Sequence, residues 1–124
     1  MIIYRGDMEI YYSDKYIFIK DNKNIKKILN QQIVDNLKGD YIAILNSEIS
    51  ELLAIIKYEE TEDSVIIKKI IFINVFNENI ISDFVSRFLN QKSIFIEIQN
   101  NHIGIGDILQ NQYDLKDLIS IINM

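Results

Sequence analysis

The segment YIAILNSEISELLAIIKYEETEDSVIIKKIIFI, residues 41–73, holds three apolar runs separated by two polar clusters. The runs are rich in isoleucine, which favours strands, and each polar cluster has the composition of a turn. The runs are Tyr41–Leu45, Leu52–Tyr58 and Val65–Ile73. This pattern predicts three successive strands in an antiparallel meander.

The residues before the meander predict a hairpin and then a helix. Met8–Tyr12 and Tyr16–Ile19 are rich in strand-forming residues, and the polar residues 13–15 between them suit a tight turn. From about residue 23 to 38, apolar side chains recur at three- and four-residue spacing, and Gly39 follows as a stop signal. We therefore expect an N-terminal hairpin followed by an amphipathic helix.

A second helix is predicted after the meander. Glu78, Asp83 and Arg87 fall between its apolar positions and are expected on its solvent-facing side. Ser93–Ile98 then reads as a short strand, and the order strand, helix, strand predicts a right-handed crossover with a parallel strand pair. A helical patch at 105–109 and a strand at 118–122 complete the chain. The apolar positions of the second helix are Ile80, Ile81, Phe84, Val85, Phe88 and Leu89.

These elements predict a single domain over residues 1–124. Its fold class is α+β (α/β mixed sheet), with a central, mostly antiparallel sheet and one parallel strand pair around the crossover helix. Residues 1–22 form the hairpin region in this prediction. Residues 23–124 supply the helix, meander, helix, strand, short helix and final strand.

Composition excludes several classes of function. The chain has a net charge of −5, which opposes binding along nucleic acid. It has no Cys and one histidine, His102, so neither a thiolate nor a multi-histidine metal centre is expected. No apolar run approaches the roughly 20 residues of a membrane helix, and the N-terminus lacks the apolar core of a signal peptide. We expect a cytoplasmic protein without nucleic-acid, membrane or metal partners.

The predicted order of elements resembles that of the GNAT superfamily of N-acetyltransferases. Residues 67–89 are similar to the strand, phosphate-binding turn and helix of that family, with Asn77 at the Arg or Gln position of the turn. Ile80 falls at the first glycine and Ser82 at the small residue. Residues 101–113 resemble a second family pattern through Asn101, Gly104 and Tyr113.

This resemblance implies acetyl-CoA as the cofactor, but the turn departs from the family pattern. Ile80 puts a branched side chain where a phosphate approaches closely, and Glu78 adds a negative charge there. The alternative is that Asn77 or Asn79 caps the helix, while Ile80 and Ile81 pack into the core. The implied cofactor-binding residues are Phe72, Asn77, Glu78, Asn79, Ile80, Ile81, Ser82 and Asn101.

Two residues are candidates for catalysis. Glu97 is the one charge within a short apolar strand, and it either serves as a general base for an amine or points to solvent. The tyrosine that acts as general acid in GNAT enzymes corresponds to Ile108, which cannot donate a proton. Tyr113 is the substitute, with packing as its alternative role. His102, beside Gly104 and Gly106, is predicted in a loop or at a helix start.

Two functions remain open. The first is an acyl-CoA-dependent N-acetyltransferase acting on a small amine or a protein. The second is a catalytically inactive GNAT-like domain that acts through protein contacts, as a regulator, an immunity-type protein or a phage-encoded inhibitor. The acidic residues 59–63 either attract a cationic amine or form a solvated loop. The aromatic residues Tyr11, Tyr12, Tyr16 and Phe18 either cover the core or form a homodimer contact.

Overall fold

The computed structural model describes residues 2–5, 8–21, 25, 39–73, 77–88, 91–107 and 117. These residues form one eight-stranded sheet whose spatial order is the order of the strands along the chain. A nine-residue helix, α1 (Glu78–Ser86), follows β6, and a single helical turn, α2 (Ile105–Asp107), follows β8. The strands are β1 (Ile2–Arg5), β2 (Met8–Tyr12), β3 (Tyr16–Lys20), β4 (Asp40–Asn46), β5 (Leu52–Glu60), β6 (Ser64–Phe72), β7 (Ser93–Ile98) and β8 (Asn101–Gly104).

Neighbouring strands are antiparallel except for β6 and β7. These two strands pair in parallel over Ser64–Ile67 and Ser93–Ile96, and α1 lies between them in the chain. Beyond Ile67, β6 continues to Phe72 alongside β5. The predicted hairpin, the meander and the strand at 93–98 are therefore confirmed as elements.

The predicted fold class, an α+β GNAT-like domain, is wrong. Among the described residues strands dominate, and β1 and β8 extend the sheet at its two edges. β8 was not predicted from the sequence, because the tight turn before it contains no glycine. The turn residues are Gln99 and Asn100, whose φ angles are 50° and 68°. His102 accordingly lies in a strand and not in a loop or at a helix start.

The central strands are buried on both faces of the sheet, which explains their continuous apolar runs. In β5 all residues from Ala54 to Tyr58 are buried, and in β4 so are those from Tyr41 to Ile44. One face packs against α1. The other carries a smaller cluster of Ile25, Tyr41, Ala43 and Ile55. Lys57 is 2% exposed, and its Nζ lies 5.3 Å from the centroid of the Tyr41 ring.

The helical spacing after the meander is confirmed by the buried face of α1. Ile80, Ile81, Phe84 and Val85 are at most 2% exposed and contact the sheet. Burying such side chains contributes about 1.5–3 kcal/mol each, and this attaches α1 to the sheet. Of the predicted helix at 23–38, only Ile25 lies within the described residues, where it is helical. The strand at 118–122 lies outside them.

Most of the aromatic cluster of the N-terminal hairpin belongs to the core. Tyr16 and Phe18 are 6% and 0% exposed, and the ring of Tyr11 packs 5.8 Å from that of Phe18. Tyr12 is 40% exposed. The cluster therefore covers the core, and the homodimer contact stays a prediction.

Gly39 holds a conformation that the start of β4 requires. Its φ is 127°, a region that residues with a side chain rarely adopt. A Cβ built there lies 2.6 Å from the carbonyl oxygen of Tyr58, which is backbone and cannot move aside cheaply. Gly39 is therefore needed both for its φ and for its close approach to β5.

Gly39→Ala is expected to lower the free energy of unfolding by about 1–3 kcal/mol, because it adds backbone strain and a clash with Tyr58. Urea unfolding followed by circular dichroism measures the change. Gly106→Ala is the matched control, since nothing lies within 4 Å of its added Cβ. We expect the control to be neutral or more stable by up to about 1 kcal/mol. Equal losses in both variants would contradict this account of Gly39.

Candidate functional site

The predicted cofactor turn is the capped start of α1. Oδ1 of Asn77 accepts the backbone N–H of Asn79 at 3.0 Å, and Nδ2 of Asn77 donates to the hydroxyl of Tyr16 at 3.3 Å. Ile80 and Ile81 are 1% and 0% exposed within the core cluster. The structure therefore matches the alternative to the cofactor turn: Asn77 caps the helix, and Ile80 and Ile81 pack into the core. Coenzyme A binding stays a prediction.

Of the remaining predicted cofactor-binding residues, Glu78 lies at this turn, and the others lie along β6, α1 and β8. Phe72 is half-buried at the end of β6 and packs against the core cluster. Glu78 is the first residue of α1, and Ser82 is exposed along it. Asn101 is exposed at the start of β8. Tyr113 lies outside the described residues.

Glu97 belongs to a charged cluster on the face of the sheet opposite α1. Nζ of Lys68 lies 2.9 Å from Oε2 of Glu97, and Nε2 of His102 lies 3.2 Å from Oε1. The hydrogen bond from Lys68 is the main cause that lowers the pKa of Glu97, while partial burial opposes it and His102 adds to it. A carboxylate with a lowered pKa is a weaker base, so this setting does not favour the predicted general-base role.

Strand alternation separates Glu97 from the predicted cofactor turn. Ile96 and Ile98 flank it and join the core cluster that contains α1, so the side chain of Glu97 points to the other face. Its partner Lys68 also precedes Phe72 by four residues, which is about 13 Å of extended strand. Glu97, the candidate general base, thus lies apart from the turn that the resemblance assigns to the cofactor.

A cavity of about 360 Å³ opens on the α1 side of the sheet, next to the C-terminal end of α1. Its walls come from β2, β3, the end of β5 and the residues after α1. The pairing of β2 with β3 brings two of the lining residues together, because Glu9 lies opposite Lys20. The lining residues are Glu9, Tyr11, Lys20, Glu60, Arg87, Phe88 and Gln91.

Arg87 is the most deeply buried charged group of this cavity. Its side chain is 9% exposed, less than half the exposure of any other charged lining side chain. Nη2 is paired with Oε1 of Glu9. The guanidinium lies 5.7 Å from the centroid of the Tyr11 ring and 5.2 Å from that of Phe88. Both distances allow cation–π attraction, which holds the planar group between the two rings.

Two buried donors next to the cavity have no hydrogen-bond partner among the described residues. They are Nη1 of Arg87 and the hydroxyl of Tyr58, a residue that is 0% exposed and packs 6.0 Å from Phe88. Burial raises the pKa of Tyr58 far above its ordinary range, and the opposing charge of Arg87 does not cancel this. The hydroxyl therefore stays protonated at neutral pH and, like Nη1, is able to donate.

The charges of the cavity walls balance. Two lining side chains are cationic and two are anionic. Nζ of Lys20 lies 3.1 Å from Oδ2 of Asp40, and Nζ of Lys92 lies 2.6 Å from Oε2 of Glu60. The result is a set of paired charges around apolar rings, which suits a ligand that carries charges of both signs.

The sequence contained one signal for this cavity. Arg87 was predicted on the solvent-facing side of the helix, and that prediction is wrong, because its side chain is largely buried. It follows Ile80 by seven residues and Phe84 by three, so helical spacing alone places it on the buried face. Glu9 and Tyr11 share one face of β2, but nothing local links them to Arg87.

Within the described residues, no helix has the length and apolar character to cross a membrane. In the same part of the chain, no group of three or more His, Cys, Asp or Glu side chains is placed to hold a metal ion. The chain matches no protein-family model, no curated protein and no solved structure. Membership of the GNAT superfamily is therefore untested by relatives and stays a prediction.

Glu97→Gln is expected to remove a pH-dependent part of the stability. Because the folded state lowers the pKa of Glu97, its contribution is full above its ordinary value of 4.5 and is lost as the pH falls through the folded value. Melting temperatures measured from neutral to acidic pH should show a wild-type advantage that narrows below that ordinary value. Lys68→Gln should remove most of the same advantage. A difference in melting temperature between the wild type and Glu97→Gln that stays constant with pH would contradict the lowered pKa of Glu97.

Tyr58→Phe is expected to leave the free energy of unfolding unchanged or to raise it, because the hydroxyl that it removes is buried without a partner. Tyr16→Phe is the matched control. It removes a hydroxyl that accepts a hydrogen bond from Asn77, so it should lower stability by about 0.5–1.5 kcal/mol. Urea unfolding measures both. A larger loss for Tyr58→Phe than for the control would show that its hydroxyl is partnered.

Proposed function

We propose that this protein is a binding domain for a small organic carboxylate, which enters the cavity beside α1. The observation that carries the proposal is Nη1 of Arg87, a buried donor on a lining residue without an acceptor among the described residues. A buried donor that lacks an acceptor costs about 1–3 kcal/mol. A carboxylate in the cavity supplies an acceptor for this donor and removes that cost.

The guanidinium of Arg87 is suited to this ligand by its shape. Its planar fork matches the two oxygens of a carboxylate, and Tyr11 and Phe88 hold its plane. Arg87 lines the cavity, and the pairing of its Nη2 with Glu9 keeps the fork at the cavity wall.

The size of the cavity supports a small ligand. Binding sites for small molecules span about 300–1,000 Å³, so a cavity of about 360 Å³ lies at the lower end of that range. Acetyl transfer remains a prediction that nothing tests. Asn77, Ile80 and Glu97 already have structural partners, which supports binding over catalysis. Action through protein contacts likewise remains a prediction.

Calorimetric titration with 3-phenylpropionate tests the proposal, because this compound joins one carboxylate to an apolar ring. We expect saturable binding that Arg87→Lys weakens about tenfold, since lysine keeps the charge but loses the fork. Lys69→Gln is the control, because it removes a positive charge remote from the cavity lining. It should leave the affinity unchanged.

Two outcomes would overturn the proposal. One is the absence of saturable binding by the folded wild type at millimolar concentrations of 3-phenylpropionate and of phenylalanine, which carries the same carboxylate and ring. The other is that Lys69→Gln weakens binding while Arg87→Lys leaves it unchanged, which would indicate attraction by overall charge, because only Lys69→Gln removes a positive charge. A parallel titration with acetyl-CoA tests the enzymatic alternative, and its turnover with an amine would favour acetyl transfer.

A further inference from the structure

We infer that the ligand of this cavity is a zwitterion of amino-acid size with an apolar or aromatic side chain. This inference rests on the proposed function, since it assigns the carboxylate to Arg87 and adds a site for an ammonium group. Its observation is the juxtaposition of Glu9 and Glu60 with Arg87 and Lys20 around one small cavity.

A simple carboxylate is a poor match for the whole cavity. The lining contains Glu9 and Glu60 beside Lys20 and Arg87, so a ligand that is only anionic makes no favourable contact with the two carboxylates. A zwitterion has no net charge and meets opposite charges at both ends. Electrostatic complementarity of this kind selects among ligands of similar size.

The two lining carboxylates keep oxygens that their described ion pairs do not use. Glu9 contacts Arg87 through Oε1, and Glu60 contacts Lys92 through Oε2. Their side chains are 21% and 30% exposed, and both residues line the cavity. An ammonium group has three donors and is able to bridge such oxygens. The ammonium site is therefore assigned to these two residues.

The aromatic walls define the third part of the ligand. Tyr11 and Phe88 line the cavity, and Arg87 lies against both rings. An apolar side chain that covers the remaining ring surface removes apolar area from water, which contributes about 25 cal/mol per Å². An aromatic side chain adds ring–ring attraction to this burial.

Three ligands that differ by one group each test the inference on the folded full chain. They are phenylalanine, 3-phenylpropionate without the ammonium group and 2-phenylethylamine without the carboxylate. We expect phenylalanine to bind at least about tenfold more tightly than either analogue, because each analogue lacks the charged contacts of one end of the ligand. Calorimetry or chemical-shift titration by nuclear magnetic resonance gives the three affinities.

The variant Glu60→Gln identifies the ammonium site. Glu60→Gln should weaken the binding of phenylalanine about tenfold, because phenylalanine has an ammonium group. It should leave the binding of 3-phenylpropionate, which has none, unchanged or slightly tighter. Glu48→Gln, in the exposed turn between β4 and β5, is the control and should change neither affinity. Melting temperatures of both variants verify that they fold.

The outcomes separate the inference from the proposed function. Equal affinities for phenylalanine and 3-phenylpropionate overturn the zwitterion and leave carboxylate binding intact. Equal affinities for phenylalanine and 2-phenylethylamine show that the carboxylate is not needed, which overturns both. Absence of binding by all three also overturns both. Loss of phenylalanine binding in Glu60→Gln together with retained 3-phenylpropionate binding supports the inference.

Discussion

The packing of Tyr58 against α1 is the contact on which the rest of the structure depends. Its ring lies 5.4 Å from Phe84 and 6.0 Å from Phe88, so β5 and the helix share one aromatic cluster. Each such pair contributes about 0.5–1.5 kcal/mol beyond the burial of its area. The carbonyl of Tyr58 also sets the approach of Gly39 at the start of β4. One residue therefore links the sheet, the helix and the entry to the meander.

This contact also explains how the cavity arises. The Tyr58–Phe88 packing places the neighbouring Arg87 over the face of the sheet, where Glu9 pairs with it and Tyr11 stacks beside it. A guanidinium in this position has rings on two sides and one covered nitrogen without an acceptor among the described residues. The core packing and the proposed binding chemistry are thus two consequences of the same arrangement.

The charged cluster on the opposite face shows a different use of ionic groups. Lys68 and His102 occupy both oxygens of Glu97, and this joins β6, β7 and β8 across the end of the sheet. The parallel β6–β7 pair extends over only four residues of each strand, so these side-chain contacts add to a short backbone ladder. Glu97 therefore reads as a structural residue, and the chemistry expected of it from its place in an apolar strand is not favoured.

The sequence by itself determined the elements whose signal is local. The meander, the hairpin and α1 follow from apolar runs and helical spacing, because burial on two faces or one face leaves a direct pattern in the chain. Only the tertiary structure decided which face Glu97 occupies, that His102 lies in an edge strand, and that Arg87 meets Glu9. The physical reason is that strand register and helix docking depend on contacts between residues as far apart as 9 and 87. No local pattern encodes such distances.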